Sequence, residues 1–135
     1  MSRQRAGTNY TLWLEHGTSD EYKPSEKAHG FVYVVIDSND RVYVGKKALK
    51  GGSNWRTYAT SCYELRNAIM ESGESRNTDF RFRVLWECYD EKTLKILEAI
   101  EICKWDGLTT GYNSNLAIRQ IGKVDTSGAK KLYGC

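Results

Sequence analysis

Proline occurs once, at Pro24, in a chain of 135 residues, too rarely for a proline-rich linker protein. No apolar run approaches the roughly 20 residues that a membrane-spanning helix needs. The start, Met1 to Gly7, is basic but lacks the apolar stretch of a secretory signal. The four cysteines, Cys62, Cys88, Cys103 and Cys135, show no C-x-x-C or other metal-ligand spacing, and only His16 and His29 could join them. A structural zinc site is therefore not expected, whereas free thiols in a reducing cytoplasm are. A strong charge of one sign is missing too. Twenty basic residues against 17 acidic ones leave a net charge of +3, which alone does not call for nucleic acid.

What is present is an ordinary globular balance, 40% hydrophobic and 27% charged. A chain of this size buries roughly two thirds of its unfolded surface, enough for one core without staples. Charge is uneven along it. Arg41 to Arg66 carries Arg41, Lys46, Lys47, Lys50, Arg56 and Arg66 against Glu64 alone. Glu87 to Asp106 carries Glu87, Asp90, Glu91, Glu98, Glu101 and Asp106 against Lys92, Lys95 and Lys104. Two solvated faces would produce this pattern, and so would a site with phosphate on one side and a metal on the other.

Residues 1–29 are polar and read as an extension packed on or draped over the domain, with Tyr10 to Leu14 as one short strand or helical turn. Phe31 to Ile36 is a β-branched and aromatic run, Asp37-Ser38-Asn39-Asp40 a cluster of turn formers, and Arg41 to Val44 a second strand closed by Gly45. That is a hairpin. Ser61 with Glu64 three residues on has capping-box spacing and opens a helix, whose stripe is Leu65, Ala68 and Ile69 and whose stop is Gly73. Phe80 to Trp86 alternates and then becomes wholly apolar, a third strand. Asp90 or Thr93 starts a second helix with the stripe Leu94, Leu97, Ile100 and Ile102, ending before Gly107. The expected fold is α/β, a three-stranded and mostly antiparallel sheet flanked by helices. The domain is set at residues 30–122, with a tail at 123–135.

The hairpin carries two tripeptides, Phe31-Val32-Tyr33 and Tyr43-Val44-Gly45, with the second tyrosine ten residues after the first. Far downstream, Glu98 is followed four residues later by Ile102, and Tyr112-Asn113 puts an asparagine fifteen residues beyond Glu98. In this combination and order the chain resembles the GIY-YIG nucleases, from Gly30 to Asn113. It resembles most the phage-encoded subgroup with Gly-Lys-Lys after the second tyrosine, here Gly45-Lys46-Lys47. The first tripeptide lacks the glycine in register, since Gly30 stands one residue early.

The resemblance implies a metal-dependent DNA endonuclease. Tyr33 would be the general base, helped by a cation from Lys46, Lys47 or Arg56 that lowers its pKa. Tyr43 would stand near the water or phosphate, and Tyr58 where other members place a second proton-handling residue. Glu98 would bind Mg²⁺ or Mn²⁺. Asn113 would order the site, and Arg56, or Lys46 in its place, would clamp the scissile phosphate. Lys47, Lys50 and Arg56 would contact DNA, with Arg3 and Arg5 as further phosphate contacts. The implied setting is the cytoplasm, that of the host if the gene is phage-borne, without a membrane and with a homodimer as one way to cut two strands. A DNA-binding or regulatory phage protein with the same fold and weak or no turnover is the alternative. Read from the residues alone, Tyr33 and Tyr43 serve equally as strand tyrosines packed in a hairpin. Glu98 serves as a boundary glutamate paired with Lys95 or Arg83, and Asn113 as a turn residue after Gly111.

Overall fold

The structure is a computed structural model and describes residues 10–49, 54–105, 112 and 128–132. Its elements run β1 (Trp13–Glu15), β2 (Gly30–Ile36), β3 (Val42–Ala48), α1 (Tyr63–Ser72), a 3-10 turn over Gly73–Ser75, α2 (Arg76–Asp79), β4 (Arg81–Cys88), α3 (Glu91–Lys104) and β5 (Ala129–Lys131). Strand β2 is apolar at nearly every position because it is covered on both faces, and all seven of its residues are buried. Phe31, Tyr33 and Val35 face one cluster with Leu65 and Ile69 of α1. Val32, Val34 and Ile36 face the other with Leu94, Leu97 and Ile102 of α3.

The hairpin forms for local reasons. The Asp37 side chain accepts from the backbone N–H groups of Asn39 and Arg41, at 2.8 and 2.9 Å, and Asp40 takes the left-handed conformation, φ 64°, that aspartate tolerates better than most residues. Asp90 caps α3 by accepting from the Thr93 N–H at 2.7 Å. Gly73 ends α1 with φ 56°. Strand β4 carries a bulge opposite Val32 and Tyr33. Before it Phe82 and Val84 enter the first cluster, and after it Leu85 enters the second, which is why this segment alternates and then turns wholly apolar.

Two expectations are corrected. The sheet has five strands in place of three, ordered β1-β4-β2-β3 with β5 also on β4. The short strands β1 and β5 share one edge of β4, at Phe82–Val84 (parallel) and Trp86–Cys88 (antiparallel). Three-residue strands carry too little periodicity to be read from sequence. The segment expected to drape over the domain thus enters the sheet, and it brings Trp13 and Tyr22 into the core. It is latched by Glu87, whose buried carboxylate accepts from Tyr22 Oη (2.7 Å), Ser25 N (3.1 Å), Ser25 Oγ (2.8 Å) and Tyr89 Oη (3.0 Å). Burial works to raise the Glu87 pKa, but these bonds together hold it below the usual value. The N-cap of α1 is Cys62, without a side-chain bond, because the Ser61 hydroxyl is turned to Tyr43 instead, at 2.8 Å. Among the described residues no helix is long and apolar enough to cross a membrane, and Cys62, Cys88 and Cys103 are free thiols.

Candidate active site

Sequence spacing could not place Tyr33 and Tyr43 on one face, because the turn interrupts the alternation. The register does. Tyr33 pairs with Gly45 and Val35 with Tyr43, so both phenols project to the same side of the sheet, with ring centroids 6.2 Å apart. Tyr33 is fully buried, and its ring crosses the bare backbone of Gly45. Glycine at the end of the second tripeptide is thus a packing requirement.

Residues 54–61 cross over this face and add the remaining hydroxyls. Tyr33 Oη lies 2.6 Å from Tyr58 Oη, and Ser61 Oγ lies 2.8 Å from Tyr43 Oη. The result is two hydroxyl pairs on one face, Tyr33–Tyr58 and Tyr43–Ser61, with the Thr60 hydroxyl close enough to Tyr33, and that of Ser61 to Tyr58, to favour their phenolates. Tyr33 is sealed from solvent, and Tyr58 and Tyr43 are only partly buried. Burial is the leading cause of every phenol shift here. It raises Tyr33 well above the ordinary value, raises Tyr43, and pushes Tyr58 up to about 12. The expected cation holding Tyr33 toward phenolate is therefore corrected: no cation is among the causes acting on it, and its neighbours are other phenols. The Lys47 ammonium lies over the Tyr58 ring, 4.6 Å from its centroid.

Helix α3 offers two glutamates one turn apart, and their surroundings differ. Glu101 is fully buried and accepts from two indoles, Trp86 Nε1 at 2.8 Å and Trp105 Nε1 at 3.1 Å, with the Lys104 ammonium 3.8 Å away. Its oxygens are committed to structure. Glu98 is partly buried and has no hydrogen-bond or ion-pair partner among the described residues. Burial raises its pKa and the Lys46 charge opposes that, while its own charge acts on the phenols of Tyr43 and Tyr58. The helix lies on the opposite face of the sheet from those tyrosines, yet Glu98 reaches their field because β3 is the last strand on that side.

Arg56 is not drawn into this group. Its guanidinium covers the Trp55 ring at 4.6 Å and stands 3.9 Å from Glu21. Arg41, in turn, covers the Tyr112 ring at 3.9 Å, and the Tyr112 hydroxyl donates to Asp37 at 2.8 Å. Asn113, Lys50, Arg3 and Arg5 lie outside the described residues. Sequence reading missed the site hydroxyls of Thr60 and Ser61. It used Ser61 as a helix cap, and only the cross-strand position of Tyr43 reveals the other use.

Among the described residues no group of three or more His, Cys, Asp or Glu could hold a metal ion. A preformed protein cage is thus not what Glu98 offers. A lone carboxylate that burial penalises when ionised suits a divalent cation that keeps most of its water and takes its other ligands from a phosphate. The residues fit such an ion on those terms.

The family model described as "Putative endonuclease segE, GIY-YIG domain" matches residues 13–117, most of the chain. The match opens at Trp13, the first residue of β1. Neither the curated proteins nor the solved structures compared contain a match.

Proposed function

Because the chain belongs to the family of segE-type GIY-YIG endonuclease domains, we propose that it hydrolyses phosphodiester bonds in DNA, using a divalent ion on Glu98 and the phenol pair Tyr33–Tyr58. The observation that carries this reading is the convergence of a carboxylate with no partner among the described residues, two lysines and three phenols around the Gly45 edge of the hairpin.

Hydrolysis joins a water oxygen to phosphorus as the bond to the leaving 3′ oxygen breaks. One proton leaves the water for the phenol pair and a solvent water returns one to the 3′ oxygen, so the products are a 5′ phosphate and a 3′ hydroxyl. Tyr33 is the base in this reading, and it works through Tyr58. Tyr33 is sealed from solvent, so the proton enters at the Tyr58 oxygen, 2.6 Å away. Once the pair has lost one proton, the other is shared between two oxygens, which stabilises the anion. Tyr43, oriented by Ser61, positions the water or a phosphate oxygen. Lys46 and Lys47 face the nonbridging oxygens, and Lys47 and Arg56 hold the flanking backbone in a salt-dependent way. Bound at Glu98, Mg²⁺ or Mn²⁺ would polarise the phosphate and stabilise the leaving oxygen. The Gly45-Lys46-Lys47 run supports placement in the phage-encoded subgroup, and free thiols support a cytoplasmic setting.

One observation favours a second reading, a DNA-binding module without turnover: Arg56 is engaged by Glu21 and Trp55, away from the phenols. Plasmid nicking with Mg²⁺ and with chelator separates the two. Cutting that needs the ion and is lost in both Tyr33→Phe and Glu98→Ala supports the nuclease. DNA binding without cutting in any divalent ion supports the module.

A further inference from the structure

The N-terminal strand region makes several of the bonds that hold the segment presenting Tyr58. Trp13 is buried at the centre of the first cluster. Its indole N–H is shared between the carbonyl oxygens of Trp55 (3.2 Å) and Tyr58 (3.3 Å). The same ring meets Tyr33 edge-on at 4.9 Å and lies nearly parallel to Tyr58, with centroids 6.4 Å apart. Around it, the Thr11 N–H donates to the Arg56 carbonyl at 2.8 Å. Tyr22 meets the Trp55 ring edge-on at 6.0 Å, and Glu21 faces the Arg56 guanidinium. Residues 55–58 form no helix or strand of their own. The turn is closed by the Asn54 carbonyl, which accepts from the Thr57 and Tyr58 N–H groups at 3.1 Å, and Trp13 anchors it to the core by holding two of its carbonyls.

We propose that Trp13 is a positioning residue of the reaction: its indole fixes the Trp55–Tyr58 backbone so that the Tyr58 phenol stays against Tyr33 and faces the substrate. The inference rests on the nuclease reading given above. It assigns to the strand β1 a role in the chemistry beyond closing a sheet edge. The ring packs against both Tyr33 and Tyr58, and the N–H fixes the backbone from which Tyr58 reaches its partner. A displacement of the phenol by about 1 Å is enough to cost up to about 100-fold in rate.

The test is a double-mutant cycle with the full chain, using Trp13→Phe, Tyr58→Phe and the pair, with Ile69→Val as a control in the same core cluster. Rates at saturating DNA are compared with DNA affinity. Trp13→Phe is expected to lower kcat about 10- to 100-fold with KM little changed, and to have almost no further effect once Tyr58 is Phe. Ile69→Val leaves kcat near wild type. Backbone hydrogen exchange over residues 54–60 is read in parallel and should accelerate in Trp13→Phe but not in Ile69→Val. Equal losses from Trp13→Phe in both backgrounds, or unchanged exchange at 54–60, overturn the proposal and leave Trp13 as core packing. If the wild type does not cut DNA at all, the nuclease reading falls, and with it the role in the reaction. The exchange result then still decides whether Trp13 holds the segment.

Discussion

Tyr33 lies across Gly45, its direct partner on the neighbouring strand. A Cβ at position 45 would fall 2.6 Å from the Tyr33 hydroxyl oxygen and 2.8 Å from the Tyr43 ring. No side chain fits there without moving a phenol. Gly45→Ala is therefore expected to cost about 1–3 kcal/mol, as overpacking does, and to disable cutting by parting Tyr33 from Tyr58. A melting curve and a nicking assay check both. Normal melting with normal cutting would mean that the Tyr33 ring does not occupy this position in solution.

A second expectation concerns pH. Both members of the phenol pair are raised, Tyr58 to about 12 and Tyr33 well above its ordinary value. At neutral pH nearly all of the free protein is protonated there, and each unit of pH multiplies the ionised fraction tenfold. Because kcat/KM reports the free enzyme, its logarithm should climb with unit slope from about pH 6 to about pH 9. Tyr33→Phe should lower it by roughly 10²–10⁴-fold. A plateau near neutrality would identify a different base.

Glu98 and Glu101 make opposite predictions. The Glu98 pKa is raised on folding, so the unfolded chain ionises it more readily, and above the unfolded value the charge weighs against the fold. Glu98→Gln should thus raise the melting temperature of the metal-free protein at pH 7, with the gain vanishing below the unfolded carboxylate pKa. It should also abolish the further rise that Mg²⁺ gives the wild type. Calorimetry at two pH values, with and without the ion, measures both effects.

Glu101→Leu, by contrast, leaves the indole N–H groups of Trp86 and Trp105 without their acceptor. A loss of about 1–3 kcal/mol for each buried donor is expected, with any residual cutting still dependent on the ion. Denaturant unfolding gives the first value and the nicking assay the second. Loss of ion dependence in the Glu101 variant would exchange the roles of the two carboxylates.

The central hairpin and both long helices were legible because their signals are local. A strand buried on both faces shows as an unbroken apolar run, a turn as Asp-Ser-Asn-Asp, and a helix start as Asp90 three residues before Thr93. What was not legible depends on partners distant in the chain. Nothing near Glu101 says that an indole fifteen residues earlier will occupy it. Nothing near Trp13 says that its N–H will meet carbonyls more than forty residues away. Ser61 had the spacing of a cap, and lost that role because a cross-sheet phenol competes for its hydroxyl. The pKa of Tyr33 was misjudged for a related reason: its phenol is sealed among other phenols, and burial decides the direction.

Paramagnetic broadening by Mn²⁺ of the tyrosine ring resonances asks most directly whether carboxylate and phenols share one site. With site-assigned signals, Mn²⁺ should broaden Tyr43 and Tyr58 first in the wild type and leave both sharp in Glu98→Gln. Broadening that persists in Glu98→Gln, or that spares both rings in the wild type, would put the ion elsewhere and contradict the account.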